Sequence, residues 1–397
     1  MAEKVEKWYP GEGKLTTGRA ILYIILMLGL ISAAARLFLG LGATTNLNDA
    51  YPWGLWISFD ILSGVALAGG GFTMAAAIYI FNLKKFEPLL RPAKLSAFIG
   101  YLVFVVGLFF DLGQPWRIWH PLVMWNPKSV LFGVSWCVML YTMVLGVDIF
   151  IMALERRKKY EWVGLSRNIY LVLVVAGVML STLHESSLGA LYLLMPQKMS
   201  DLWASGAIGP LFWTSAVIGG MSVVILESLI SAWAYARKAE VKLLASFSKG
   251  LDIVLLVYFA MKVTDLYARR ATVWVFDKPH FFFFVELFGF VALPAILLTF
   301  TEVRNSAKGL YWAAGLSAFG VVLNRFNVSL TSFGGYRQFS YFPSAIEIIL
   351  TLSLIAGGIL IFDLGTRYLP VYKVGAVGRN ALGEEGRGGE KAVVSGQ

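Results

Sequence analysis

Long apolar runs, separated by short polar or charged stretches, dominate the hydrophobic pattern of this chain. Runs of about 18 or more apolar residues are long enough to cross the roughly 30 Å hydrocarbon core of a bilayer as α-helices. A window of about 19 residues predicts ten such spans. They lie near 19–41, 54–82, 95–112, 129–154, 169–192, 206–235, 250–268, 281–301, 309–325 and 344–366.

The apolar runs do not alternate with polar positions, as the strands of a membrane β-barrel do. Helices satisfy their own backbone hydrogen bonds, which a chain in lipid requires. The sequence therefore predicts an all-α membrane protein, with a polar N-terminal segment at 1–18, a membrane domain at 19–366 and a solvated tail at 367–397. We do not expect a cleaved signal peptide, because the first segment is polar and charged.

The formal net charge of +10 does not indicate nucleic-acid binding, because the basic residues punctuate the apolar runs and form no basic-aromatic face. Counted by alternating sides, 24 lysines and arginines fall on the side of the N-terminus and 8 on the other. The positive-inside rule then predicts that both termini are cytoplasmic, in an inner membrane crossed ten times.

Several ionisable residues fall inside the spans or at their outer ends. A charge at membrane depth costs several kcal/mol, so such residues are retained for function or are paired inside the protein. For Glu347 and His280, which are nearest to loops, a structural role at a helix end is the competing interpretation. The outer set comprises His120, His184, His280, Asp60, Asp111, Glu185, Glu286 and Glu347.

The segment Leu183–Gly189 places an imidazole, a carboxylate and two hydroxyls within two turns of one span. His184 shares a helix face with Ser187, whereas Glu185 points elsewhere. A histidine in such polar company is a candidate to bond a quinone carbonyl and to transfer a proton. A hydrogen-bonded structural histidine is the alternative.

A second cluster leaves the third span, from Asp111 to His120. Pro115 is expected to end the helix, leaving Asp111 facing Arg117 and His120. In the functional interpretation, this cluster forms one wall of the entrance to a pocket for a lipid-soluble substrate. Trp119 lines that entrance. The alternative is a packed interfacial loop, because tryptophan is enriched at membrane interfaces.

A third cluster lies deeper and comprises Glu227, Lys262, Asp265 and Asp148, with Glu286 as a further member. These residues can line a water-filled proton path, as carboxylates do in membrane pumps. Lys262 and Asp265, three residues apart, can equally form a buried ion pair. The sequence leaves both interpretations open.

The chain carries one cysteine, Cys137, so neither an internal disulfide nor a cysteine-ligated cluster is expected. Three histidines on one side cannot ligate two stacked bis-histidine haems. We therefore expect no haem, iron–sulfur cluster or metal bound by this chain. Gly69–Gly71 lies within a span and predicts a close helix contact rather than a phosphate loop.

Five motifs together carry a family resemblance. They are Pro52–Asp60, Asp111–Pro115, Asn126–Phe132, His184–Gly189 and Gly335–Pro343. In combination they resemble the NrfD/PsrC family, over about residues 20–370. The nearest likeness is to its ten-helix branch, which includes HybB, HmcC, QrcD and DsrP.

The resemblance implies two four-helix bundles, spans 2–5 at about 54–192 and spans 6–9 at about 206–325, flanked by spans 1 and 10. It implies a quinone pocket in the first bundle, near the non-cytoplasmic side. Carried onto this chain, the pocket uses Asp60, Asp111 and His184, with Glu185 and Ser187 beside them and Arg117, Trp119 and His120 near the mouth. Gly133 stands where some relatives carry a carboxylate, which weakens a proton route through the fourth span.

The resulting hypothesis is a membrane subunit that exchanges electrons between menaquinone, or another quinone, and a ferredoxin-like iron–sulfur subunit on the outer surface. Further partners are a multihaem cytochrome c or other redox subunits, and additional membrane subunits. His184 and Asp111 are the predicted catalytic groups, and proton translocation is a further possibility. An ion or small-anion transporter and a purely structural anchor are the alternatives.

Overall fold

A computed structural model of the protein describes residues 16–48, 53–157, 160–271, 277–336 and 341–372, with only the backbone described at 160–170 and 334–336. Ten long helices dominate this part of the chain. They are α1 (Thr17–Leu39), α2 (Trp56–Ile80), α3 (Glu87–Asp111), α4 (Val130–Arg156), α5 (Tyr160–Ala190), α6 (Ile208–Ala234), α7 (Val241–Arg269), α8 (Lys278–Thr299), α9 (Ala307–Ser329) and α10 (Ala345–Tyr368).

Short helical turns fill most of the connections, at Leu41–Thr44, Lys84–Phe86, Pro115–Arg117, His120–Val123, Leu191–Leu194, Pro196–Lys198, Thr301–Arg304 and Thr331–Tyr336. The predicted N-terminal segment up to residue 15 and the tail beyond residue 372 lie outside the described residues. Residue 52 of the motif Pro52–Asp60 and residues 337–340 of the motif Gly335–Pro343 also lie outside the described residues.

The helix boundaries follow capping side chains. Ser129 accepts a hydrogen bond from the backbone of Phe132 at the start of α4, and Ser344 forms a capping box with Glu347 at the start of α10. Glu347 therefore has the structural role that competed with a functional one. Both α3 and α7 begin about nine residues before their predicted spans, because their first turns carry charged residues that a hydropathy window excludes.

The prediction of an all-α, multi-pass membrane protein is confirmed. Within the described ranges, nine of the long helices are both long and apolar enough to cross a bilayer. The predicted ninth span is α9, which has the length but not the hydropathy. Its end carries the buried polar residues Asn324, Arg325 and Asn327, which are surrounded by other helices rather than by lipid.

Helices α2–α5 are consecutive and form one set of four, and α6–α9 form the next, while α1 and α10 pair with each other and lie against α3. We call these two sets the first and second bundle. They are closely packed, because α6 contacts both α2 and α5. The division into two four-helix bundles stays a prediction of the family resemblance.

The bundles meet where α2 crosses α6 at very short distance. A Cβ atom added to Gly69 would lie 2.7 Å from the carbonyl oxygen of Ala216, and one on Gly219 would lie 2.9 Å from that of Ala66. Only glycine permits this approach of the two backbones. The prediction of a close helix contact at Gly69–Gly71 is confirmed.

Both termini of the helical domain lie at one end of the molecule. Arg19, at the start of α1, forms an ion pair of 3.0 Å with Asp363, near the end of α10. We call this end the N-terminal face and the other the opposite face. Placement of the N-terminal face in the cytoplasm stays a prediction.

Two helices contain π-helical segments, Trp56–Ser63 and Ala76–Ile80 in α2 and Val285–Ala292 in α8. Such wide turns often occur at functional sites. Two of the three segments carry a buried carboxylate, Asp60 in α2 and Glu286 in α8.

Candidate functional site

His184 lies in the interior of the first bundle with no exposed surface. Its ring packs against Tyr101 and Phe104 of α3, with centroid distances of 5.8 and 6.0 Å. Neither ring nitrogen has a hydrogen-bond partner within the described part of the chain.

Three buried hydroxyl groups lie in the same part of the first bundle, and the ring of one of them, Tyr101, contacts this imidazole. Tyr101 and Tyr141 pack edge to face at 4.7 Å, and the Ser181 hydroxyl lies beside both phenols. None of the three hydroxyls forms a hydrogen bond of normal geometry to another described residue. We call Tyr101, Tyr141, Ser181 and His184 the His184 cluster.

Leaving a buried polar group unpaired costs about 1–3 kcal/mol, and folded proteins pair nearly all such groups. Four of them in one place indicate a site arranged for a polar ligand group or for water. His184 is fully enclosed, and the rings of Tyr101 and Phe104 lie against it.

Asp60 and Asp111 belong to a separate group near the opposite face. Asp60 is 3% exposed and accepts a hydrogen bond of 2.8 Å from Thr351 of α10. It borders α3 at Gly107, one turn beyond the position of Phe104. The predicted pocket residues therefore lie in two different places. His184 is among α3, α4 and α5, whereas Asp60 is among α2, α3 and α10.

The charged neighbour of Asp111 is Arg36 of α1, which the sequence analysis did not assign to the site. Arg36 is 2% exposed and donates hydrogen bonds of 2.9 and 2.7 Å to the carbonyl oxygens of Phe110 and Leu112. The sequence offered one signal for Arg36, namely that it is a basic residue inside an apolar run. One carboxylate oxygen of Asp111 is buried and accepts no hydrogen bond from the described residues.

The prediction that Asp111 faces Arg117 and His120 is corrected. Pro115 begins a helical turn that carries Arg117 to the exposed surface, and the neighbouring rings of Trp119 and His120 contact each other at 4.6 Å. Trp119 is about half exposed. These residues form a surface loop, in agreement with the competing interpretation.

Glu185 points away from His184 and toward the second bundle. Its carboxylate lies 3.9 Å from the Arg325 guanidinium of α9, and both side chains are fully buried. Ser187 is only half-buried. Glu185 thus links the helix that carries His184 to the second bundle.

Arg325 belongs to a buried polar network around Glu286. The two carboxylate oxygens of Glu286 accept hydrogen bonds of 2.7 and 2.8 Å from Asn324 and Asn327, and Lys262 lies 3.5 Å away. Arg325 donates to the Asn324 side chain at 2.8 Å. We call Glu286, Lys262, Asn324, Asn327 and Arg325 the Glu286 network.

Asp265 is not the ion-pair partner of Lys262. It accepts hydrogen bonds of 2.7–3.1 Å from Arg269 and one of 2.5 Å from Ser205. Arg269 follows Asp265 by one helical turn, so its side chain reaches the carboxylate, whereas Lys262 points toward α8.

The remaining predicted proton-path residues lie toward the N-terminal face. Lys94 and Asp148 form a buried ion pair of 2.8 Å. Glu227 accepts a hydrogen bond of 2.5 Å from Ser96 and one of 3.3 Å from the Tyr372 hydroxyl. Burial raises the pKa of Tyr372 well above its usual value, so its hydroxyl remains a donor. The residues of the predicted path therefore form four separate groups rather than one row.

A small void of about 20 Å³ lies between the Lys94–Asp148 pair and Tyr141. Roughly 10–15 Å³ by this measure holds one water molecule. The void therefore offers room for a water between the ion pair and the His184 cluster.

The described residues contain no group of three histidine, cysteine or carboxylate side chains placed to hold a metal ion. The absence of haem and of an iron–sulfur cluster from this chain stays a prediction.

Comparison with known families matches residues 43–333 to the family described as polysulphide reductase, NrfD. The chain belongs to the NrfD family. The matched range includes most of α2 to α9 and hence the His184 cluster and the Glu286 network, and it confirms the resemblance seen in the sequence motifs.

Named relatives of this NrfD-family chain are similar along almost their whole length. A protein of Nitratidesulfovibrio vulgaris is 38% identical over 373 residues, covering 90% of this chain and 95% of its own. The probable Ni/Fe-hydrogenase 2 b-type cytochrome subunit of Escherichia coli is 30% identical, covering 88% and 90%. The integral membrane subunit of menaquinone reductase from N. vulgaris is 29% identical, covering 89% and 91%.

Sequence patterns did not reveal several residues of this NrfD-family site. Tyr101, Tyr141 and Ser181 occur in apolar runs without any local motif. Asn324 and Asn327 gave a weak signal, as amides near the end of a predicted span. The roles of these residues depend on their neighbours on other helices. A single sequence does not show which helices are neighbours.

Proposed function

We propose that this chain is the quinone-reacting membrane subunit of a respiratory electron-transfer complex. It exchanges electrons between a membrane quinone and an iron–sulfur subunit docked at the opposite face. The observation that carries the proposal is the His184 cluster, a buried imidazole whose two nitrogens have no described partner, near three buried hydroxyls that form no hydrogen bond of normal geometry.

The relatives support this class of function. One is named as the integral membrane subunit of menaquinone reductase and another as a subunit of a hydrogenase. Both names describe subunits of redox enzymes, and both proteins align with nearly all of this chain. Menaquinone is accordingly the quinone we propose.

A bound quinone takes up two electrons and two protons on its way to quinol. His184 is the donor we assign to the ring carbonyl, since its nitrogens are free of other described partners. Tyr101 and Phe104 supply flat apolar walls for the ring, and they close the site to water. An imidazole suits proton exchange because one ring nitrogen donates a hydrogen bond while the other accepts one.

Protons reach His184 by one of two routes in this proposal. The first starts at the Lys94–Asp148 pair toward the N-terminal face and passes through the adjoining void, Tyr141 and Ser181. The second starts at Asp111, whose carboxylate is partly exposed near the opposite face. In the first route protons come from the N-terminal face, whereas electrons are delivered at the opposite face. Turnover by this route therefore moves net charge across the membrane and is electrogenic.

The loop after α3 is the surface we assign to the redox partner. Trp116, Trp119 and Trp125 are each about half to two-thirds exposed there, beside the exposed Arg117. Tryptophan and arginine are the residues most often found at the energetic centre of protein interfaces. The side chains of this loop also lie at the end of the first bundle that is nearest to Asp111.

The decisive variant is His184→Ala in the complete complex. Loss of a positioned acid–base group lowers a rate by roughly 10²–10⁴-fold, so we expect quinone-linked electron transfer to fall to background. Co-purification of the other subunits measures assembly, which we expect to be unchanged. Wild-type turnover with a menaquinone analogue in this variant contradicts the proposal.

His280→Ala is the matched control. His280 is also buried near the opposite face, but its Nδ1 atom lies 2.5 Å from Asp277 at the start of α8. We expect this variant to retain quinone turnover. Equal losses in the two variants mean that the histidines act structurally, and substrate flux into liposomes without redox partners supports a transporter instead.

A further inference from the structure

A crevice opens between the two bundles on the side of α2, α5, α6 and α7. Its volume is about 690 Å³, and most of its lining is apolar. The larger side chains that line it are Phe72, Phe81, Trp213, Met221, Phe247 and Val254. On α7 the lining runs from Ser246 to Val254, about 12 Å along the helix axis.

Two lysines stand at the end of the crevice nearest the N-terminal face. Lys85 and Lys249 line it, and no acidic residue does so in the described part of the chain. Both lysines are exposed, and the Lys85 ammonium donates a hydrogen bond of 2.8 Å to Ser246 on α7. The lining thus combines an apolar channel with an uncompensated positive end.

A second cavity of about 520 Å³ adjoins this end and shares Lys85. Its charged lining is mostly basic, with Lys84, Lys85, Arg91, Arg237 and Lys238 against Glu87 and Glu240. Arg91 pairs with Glu155 at 2.8 Å, and Arg237 stacks on Tyr372 at 3.7 Å. The lysines therefore supply most of the positive charge that is available to a ligand.

We propose that this crevice binds one anionic phospholipid, with an acyl chain between the bundles and the phosphate between Lys85 and Lys249. The assignment is independent of the quinone chemistry. Basic residues at a membrane surface attract anionic headgroups, and an acyl chain matches an apolar channel that runs into the bilayer.

Other occupants fit the lining less well. An apolar transmembrane helix brings no negative charge to the two lysines. A quinone is uncharged and leaves both lysines without a counter-charge. Charge complementarity therefore favours the phospholipid.

The test uses the complete complex in nanodiscs of dioleoylphosphatidylcholine with one-fifth dioleoylphosphatidylglycerol. Native mass spectrometry after detergent transfer counts the lipids retained on this chain. We expect one phosphatidylglycerol to be retained in preference to phosphatidylcholine. In the Lys85→Ala/Lys249→Ala variant we expect retention to fall roughly ten-fold, because each lysine contributes to headgroup attraction.

Lys242→Ala/Lys308→Ala is the matched control, since it removes the same charge from exposed positions outside both cavities. It should retain phosphatidylglycerol like the wild type. Ala77→Phe, which fills the crevice from α2, should lose the lipid with both lysines present. Equal retention of the two lipids, unchanged retention without Lys85 and Lys249, or a retained mass equal to a quinone overturns the assignment.

Discussion

The His184 cluster and the Glu286 network are two buried polar sites in neighbouring four-helix bundles, and they differ in how their hydrogen bonds are satisfied. In the network every carboxylate oxygen of Glu286 has an amide donor, and Lys262 lies beside it. In the cluster the imidazole of His184 has no partner among the described residues, and the hydroxyls of Tyr101, Tyr141 and Ser181 form no hydrogen bond of normal geometry to them.

The difference shows two ways in which buried polar side chains are arranged inside this membrane protein. The paired carboxylate of Glu286 joins α7, α8 and α9 through Lys262, Asn324 and Asn327, although the Nε atom of Arg325 has no partner among the described residues. Polar groups without partners contribute no such bonds and cost free energy until a ligand or water pairs with them. In the proposed function the cluster with missing partners, rather than the paired carboxylate, reacts with the quinone.

Glu286→Ala should give the largest effect on stability. It leaves Lys262, 4% exposed, as an unpaired buried charge, and breaking such a pair costs about 3–5 kcal/mol. Thermal unfolding of the purified complex measures the loss.

Glu302→Ala serves as the control, since Glu302 is an exposed carboxylate in the short turn between α8 and α9. It should change stability by at most about 0.5 kcal/mol. Similar melting temperatures for the two variants would remove the distinction between the paired carboxylate and the polar groups without partners.

Tyr141→Phe should affect turnover rather than stability. The phenol hydroxyl has no hydrogen bond of normal geometry to lose, but it stands between the void near Asp148 and the His184 cluster. We expect kcat for a menaquinone analogue to fall roughly ten-fold with KM unchanged, since proton transfer slows while ring binding persists.

Tyr258→Phe is the counterpart in the second bundle, where Tyr258 is 2% exposed beside a small void near Glu286. It should leave kcat unchanged. An equal fall in both tyrosine variants shows that the proton route does not depend on the first bundle alone.

A double-mutant cycle between Glu185→Gln and Arg325→Met tests whether the two sites are coupled. Their charges are 3.9 Å apart across the bundle interface. Contacting charges in a shared network give interaction energies of about 0.5–3 kcal/mol, and we expect a value near 1 kcal/mol in unfolding free energy. Strict additivity of the two single variants indicates that the bundles are energetically separate.

Asp277→Asn should give the smallest effect. The hydrogen bonds from the His280 backbone and ring lower the pKa of Asp277 below its ordinary 3.8, although its side chain is about half exposed. Because the native state favours the carboxylate, its stabilisation is complete above about pH 4 and is lost as the pH falls below that value. The melting temperatures of variant and wild type should converge in acid; a constant difference between pH 7 and pH 3 contradicts this assignment.

The sequence by itself determined the helical architecture. Apolar runs of bilayer length predicted the long helices because lipid leaves a spanning chain no other way to satisfy its backbone. The glycine run at Gly69–Gly71 predicted a close contact for a similarly local reason, the absence of a side chain. The motifs around His184 and Asp111 identified the family, and each of these signals lies within a few consecutive residues.

Only the tertiary structure decided which polar groups meet. It placed Arg36 near Asp111, and it paired Lys262 with Glu286 and Glu185 with Arg325, residues that lie on different helices and far apart in the chain. It also brought Tyr101 against His184 and Tyr141 against Tyr101, with no described partner for either ring nitrogen of His184. A hydrophobic pattern specifies which residues are buried, but hydrogen bonds depend on distances of about 3 Å, which the packing of the helices sets.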